Sequence, residues 1–202
     1  MILECKFTAP IARTMQEDYV REITIDIRCF NEEVTEKYLA GRIAVSQVLW
    51  NDARADGESL FEICDNDSQG LSDVFTALCD ESGEVRPEFE IDEVFNHVMF
   101  VYHVVLHAEI QPYAKAILDA AVDLLGHDAL VVMWRGLGGM SDSDLAELGF
   151  RKFAGTELIC RQSTHRSRFS EKYPRGQDVE VVGRPEFESW FNEHWSKGCQ
   201  PN

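Results

Sequence analysis

Two stretches of this chain leave few folds open to it. Val98–His107 reads VMFVYHVVLH and Ala129–Trp134 reads ALVVMW. Both are near-continuous apolar runs of strand length, the pattern of strands buried on both faces of a sheet. A helix separates them. Pro112 fits its first turn. Ile117, Leu118, Ala121, Leu124 and Leu125 form its apolar stripe, and Gly126 marks its end. Strand, helix and strand in that order place both strands in one sheet, joined by a right-handed crossover. The pattern then repeats. Gly136, Gly138 and Gly139 form a flexible turn, Ser141 caps a short helix ending at Gly149, and Thr156–Arg161 (TELICR) is a further strand. The expected class is α/β, a mixed or parallel central sheet flanked by helices.

The flanking regions read less sharply. Ile23–Phe30 (ITIDIRCF) alternates apolar and polar residues, as a half-buried strand does. Tyr38–Trp50 reads as a second strand or a short helix. From Ser59 the spacing turns helical: Leu60, Phe61, Ile63 and Cys64, then Leu71, Val74, Phe75 and Leu78, with Ser72 the expected cap of the second helix. Asp80–Phe95, with Gly83 and Pro87, reads as a solvated loop. In the polar tail from Pro174, Trp190, Phe191 and Trp195 recur at helical spacing, so a final helix should pack on the core. There is no internal repeat. The 202 residues suit one domain, 1–202, with an N-terminal half (1–95), a core (96–161) and a C-terminal extension (162–202).

Charge narrows the partners. The formal net charge is −17, which repels nucleic acid and anionic membranes. It suits solubility, attraction of a cationic substrate, or mimicry of a nucleic acid. The acidic residues concentrate in 80–93, where Arg86 is the one cation, while Arg161–Arg175 is basic. That basic stretch is either an anion site or a run of solvated charges, the second being the plainer reading. No apolar run approaches the ~18 residues of a membrane span, and no secretory signal opens the chain. The six cysteines show neither C-x-x-C nor zinc spacing, and most sit in apolar runs. A reducing, cytoplasmic setting with free, mostly buried thiols is expected. Asn66-Asp67-Ser68 is a glycosylation sequon in letters alone.

One stretch carries a resemblance. After the first buried run come Val105, Leu106, His107, Ala108, Glu109, Ile110, Gln111, Pro112, Tyr113, Ala114, Lys115 and Ala116. Later, Leu145-Ala146-Glu147-Leu148-Gly149-Phe150 precedes the next strand. This order resembles the acetyl-CoA-dependent N-acetyltransferase (GNAT) superfamily. There a buried strand runs into a helix through a turn of the form V-x-P-x-x-[Q/R]-x-x-G-x-[G/A], and a Gly-Phe pair ends a later helix. Gln111 falls at the Gln/Arg position and Ala116 at the last small one. Ala114 replaces a usual glycine, Ala108 a common proline, and Pro112 another glycine. Leu145 stands where the family carries a tyrosine that protonates the leaving thiolate, which leucine cannot do. The resemblance covers roughly 96–161.

It implies a divergent GNAT-like acyltransferase. Acetyl-CoA, the co-substrate, would enter a V-shaped gap beside Val98–His107. Free amides of a turn at a helix N-terminus suit an anion. The turn formed by Gln111, Tyr113, Ala114, Lys115 and Ala116 would therefore bind the pyrophosphate. Amides near Val105, Leu106 and His107 would polarise the acetyl carbonyl, and Ser141 would reach toward the thiol. The acceptor would be a small or peptidyl amine, with His103 as base and Tyr102 as acid. His103 has a reference pKa near neutrality. Its plainer reading is a hydrogen-bonded core histidine, and that of Tyr102 is core packing. Strand alternation puts His103 and His107 on one face and Tyr102 on the other. Family members are often dimeric, so a homodimer is the expectation to test; no metal is expected. The second reading is a catalytically inactive, acidic GNAT-fold protein that binds or inhibits a basic protein partner.

Overall fold

The computed structural model of the chain describes residues 1–7, 16–87, 95–125, 128–153, 155–163 and 181–198. Its strands are β1 (Ile2–Phe7), β2 (Val20–Phe30), β3 (Lys37–Val48), β4 (His97–Leu106), β5 (Ala129–Trp134), β6 (Arg151–Lys152) and β7 (Leu158–Gln162). The helices are α1 (Trp50–Asp56), α2 (Leu60–Asp67), α3 (Gln69–Leu78), α4 (Ala114–Leu124), α5 (Asp142–Glu147) and α6 (Pro185–Gly198). All seven strands belong to one sheet in the order β1-β2-β3-β4-β5-β7-β6. The sheet is mixed, and β4 with β5 is its parallel pair. The fold is therefore α/β, as the strand–helix–strand order requires.

The two apolar runs take the middle of this sheet, where both faces are covered. Val98 and Phe100 pack with Leu130 and Val132 against helices α1–α3. Met99 and Val101 pack with Val131 and Met133 against α4 and α5. Each residue is buried because its neighbour's opposite face is buried too, so the apolar run has no polar interruptions.

Several expectations need refinement. Lys37–Val48 is a strand and the helix starts only at Trp50; β1, α1 and β6 carry no clear sequence signal. The cap of α3 is Ser68, whose hydroxyl accepts from the Leu71 N–H at 3.3 Å. Ser72 instead lies inside that helix and donates to Asp65 at 2.8 Å. Ser68 wins because it alone precedes the first turn in extended conformation, where its oxygen can reach a free N–H. Ser59 caps α2 in the same way. Ser141 closes a full capping box on α5 with Asp144, and Gly149 then leaves the helix at φ +87°. Helix α4 runs to Leu124, and Gly126 lies outside the described residues.

Arg161, expected to open a basic stretch, lies in β7 and is 2% exposed, bonded to Asp119 of α4 at 2.7 Å. Two charges can be buried there because each meets the other and the hydrogen bond fixes them. The pair ties α4 to the sheet. The rest of that stretch beyond 163 lies outside the described residues, as do 88–94 of the acidic loop. No described helix is long and apolar enough to cross a membrane.

Candidate functional site

The site expected from sequence lies around the C-terminal end of β4. Pairing between β4 and β5 runs from His97–Ala129 to Val101–Met133 and then stops. Strand β4 continues to Leu106, paired only with β3. The two parallel strands therefore part, leaving a gap beside Tyr102–Leu106.

At the same point β4 carries a bulge. Ala44 pairs with His103 and Val45 with Val101, so Tyr102 faces no partner residue. A bulge adds one residue to a period-two strand, which shifts everything after it to the other face. Tyr102 and His103 consequently share one face, correcting the expected opposition. Tyr102, 38% exposed, donates to Glu22 at 2.8 Å, and Ser46 donates to the other oxygen of that carboxylate at 2.6 Å. Glu22 and Ser46 are direct cross-strand partners, and Ser46 also opposes Phe100. Next to this group, at the end of α2, burial pushes the Asp67 carboxyl up, and the negative charge of Glu22 adds to the effect. Nothing local in sequence joins Glu22 to Tyr102; the two are 80 residues apart.

His103 is 9% exposed and packs against Trp195 of α6, with ring centroids 4.5 Å apart. Its ring bonds to the backbone of Trp195, and Nε2 is buried with no hydrogen-bond partner. Burial lowers its pKa, a trend that the Trp195 bond partly offsets. His107 stacks on Phe187 at 4.2 Å and meets the edge of Trp190 at 5.0 Å. Thus α6 covers both candidate histidines, and the plainer reading of His103 as a hydrogen-bonded, largely buried residue describes its position.

The candidate anion turn is closed on itself. The N–H groups of Ile110 and Gln111 bond to the His107 carbonyl, that of Tyr113 to Ile110, and that of Ala114 to Gln111. Pro112 has none to give. Gln111 turns its side-chain amide to the Gly138 carbonyl. Lys115 is paired with Asp144 at 2.9 Å and Glu147 at 2.6 Å, and these carboxylates raise its pKa. Asp144 in turn is held down to about 2, first by the Ser141 hydroxyl and then by Lys115. As arranged here, the N–H groups of Ile110, Gln111, Tyr113 and Ala114 are spent within the turn and two carboxylates offset the Lys115 charge, so the turn fits a pyrophosphate poorly. Ala116 lies in the first turn of α4, and Ser141 spends its hydroxyl on the α5 cap.

The gap beside β4 is occupied by protein. The turn Leu137–Gly139 lies against it, so close that a Cβ on Gly138 would come within 3.1 Å of Val104. Val105 and Leu106 pair with Arg42 and Gly41 of β3 on the opposite edge. Leu145, at the tyrosine position, is 2% exposed and belongs to the core against α4. The cysteines do not make up the loss. Burial pushes Cys64 and Cys79 up to about 12 and Cys160 to about 11, which suppresses the nucleophilic thiolate. Among the described residues no group of three or more His, Cys, Asp or Glu is placed to hold a metal ion.

The acidic residues of the described part of the acidic loop are exposed, and Asp80 and Glu84 among them are bonded by neighbouring groups. Asp80 accepts from the Ser82 hydroxyl and N–H and from the Glu84 N–H, bonds that hold its carboxyl below the usual range. Glu84 pairs with Arg54 at 2.6 Å. Comparison with family models, with curated proteins and with solved structures gives no match. The reading of this site therefore rests on its own geometry.

Proposed function

We propose that this chain is a GNAT-like protein that binds a basic protein partner and does not transfer acetyl groups. The observation that carries the reading is the filled gap: the Leu137–Gly139 turn lies against Val104, held by Gln111 through the Gly138 carbonyl. Support for the GNAT-like element comes from the mixed sheet, the parting of β4 from β5, and the helix that follows β4. Support for inactivity comes from the internally bonded turn, the neutralised Lys115 and the buried Leu145. The formal charge of −17 favours a cationic partner.

A specific observation keeps acetyl transfer to an amine as the second reading. The bulge sets Tyr102 and His103 on one face beside the parted strands, where an acid and a base would be wanted.

Thermal melting with acetyl-CoA separates the two. A ligand at about a hundred times its Kd stabilises the folded state by ~2.7 kcal/mol. The binding reading expects no shift at millimolar acetyl-CoA, together with salt-sensitive binding of an oligolysine peptide. A clear rise in Tm that vanishes on Gln111→Ala would reverse the order of the two readings.

A further inference from the structure

Helix α6 is attached to the sheet chiefly through rings. Trp195 meets His103, Phe187 and Trp190 meet His107, and Phe191 stacks on Trp195 at 5.4 Å. The Arg42 guanidinium lies over Phe191 and Trp195, at 5.1 and 5.2 Å. Trp190 and His194 stack along the helix itself.

His103 in β4 and His107 just beyond its end both sit in ways that suit a neutral ring. A neutral imidazole has one N–H donor and one lone pair. On His103, Nε2 is buried and has no partner, a place that suits the bare lone pair of a neutral ring. On His107, Nδ1 accepts from the Glu109 N–H at 3.3 Å, so the lone pair is there. A proton added to His103 would create a charged N–H with no acceptor. One added to His107 at Nδ1 would face another N–H. The first leaves a buried charge unpaired and the second loses the exposed Glu109 hydrogen bond.

We propose that His103 and His107 make α6 an acid-released cover, docked on β3 and β4 while both rings are neutral and lifted when they take up protons. The inference goes beyond the functional reading above and holds whether or not the chain binds acetyl-CoA. Of the charges near His107, Glu109 acts most strongly and favours its protonation, while Arg184, paired with Glu109, and His194 oppose it. Near His103 the facing cation is Arg42, which is fixed on Asp26 at 2.6 Å. At the other end of the helix Glu188 accepts from the Leu39 N–H at 3.1 Å and lies 3.7 Å from Arg28. Burial lowers both histidine pKa values. The docked rings therefore hold protons less well than free ones, whose pKa is about 6.5. Docking is at full strength above that pH and weakens as the pH falls below it toward the docked values. Release would uncover Arg42, His103, His107 and the aromatic side of α6.

Amide hydrogen exchange tests this in the intact chain at about pH 7.5 and about pH 5.5, corrected for intrinsic exchange, with α4 as internal reference. Protection of Pro185–Gly198 should fall, by up to about ten-fold for each histidine over the one pH unit below the free value of about 6.5, while Ala114–Leu124 holds. In the His103→Gln/His107→Gln double variant the pH response should disappear. Undiminished α6 protection at the lower pH, loss of α4 and α6 together, or a double variant that responds like the parent would each overturn the proposal. The comparison of α6 with α4 in the unmodified chain stands even where the double variant does not fold.

Discussion

The two halves of β4 look alike in sequence and behave differently in the fold. Val98–Val101 is paired on both edges, to β3 and β5, and its side chains enter both cores. Tyr102–Leu106 is paired on one edge only, is bulged at its start, and faces an aromatic helix on one side and a glycine-rich turn on the other. The first half is scaffold. The second half holds the polar and titratable groups, because losing the β5 partner and adding one residue opens space that a regular ladder would fill. Within one strand, backbone pairing separates structural from candidate functional residues.

Substitutions on either side of the bulge test that division. The largest effect is expected at Phe100, which is 3% exposed and packs on Trp134 and on Gly70 of α3. Phe100→Ala should cost about 3–5 kcal/mol in urea unfolding, with the slope of the transition unchanged. A smaller effect is expected where β3 meets the second half. A Cβ on Gly41 would lie 2.8 Å from the Val105 carbonyl oxygen and 2.9 Å from Leu106, so Gly41→Ala should destabilise by about 1–3 kcal/mol. The smallest belongs to the exposed tyrosine. Tyr102→Phe removes one hydrogen bond to an exposed carboxylate and should change stability by under about 1 kcal/mol. A Tyr102→Phe cost equal to that of Phe100→Ala would abolish the distinction between the halves.

The candidate site was partly legible in the sequence. His103 was placed on the right strand and His107 one residue beyond its end, the helix after them was placed to within a turn, and Ser141 capped the helix assigned to it. The shared face of Tyr102 and His103 was not legible, since period-two alternation holds only in an unbulged ladder. Glu22 was missed because its link to Tyr102 exists only when β2 and β4 flank β3. The pairing of Lys115 was not legible either, since its partners Asp144 and Glu147 come from α5, Glu147 lying 32 residues further on. The aromatic tail gave its helix through Trp190, Phe191 and Trp195, yet not its seat over the histidines.

By itself the sequence determined the α/β class, the two central strands and the Ser141 cap of α5. Those follow from hydrophobic period and from hydroxyls that reach free N–H groups within a few residues. Tertiary structure alone decided where β4 leaves β5, which face each β4 side chain takes, and which charges stay free to meet a ligand. Those depend on pairing register and on contacts between residues far apart in the chain, which no local pattern encodes.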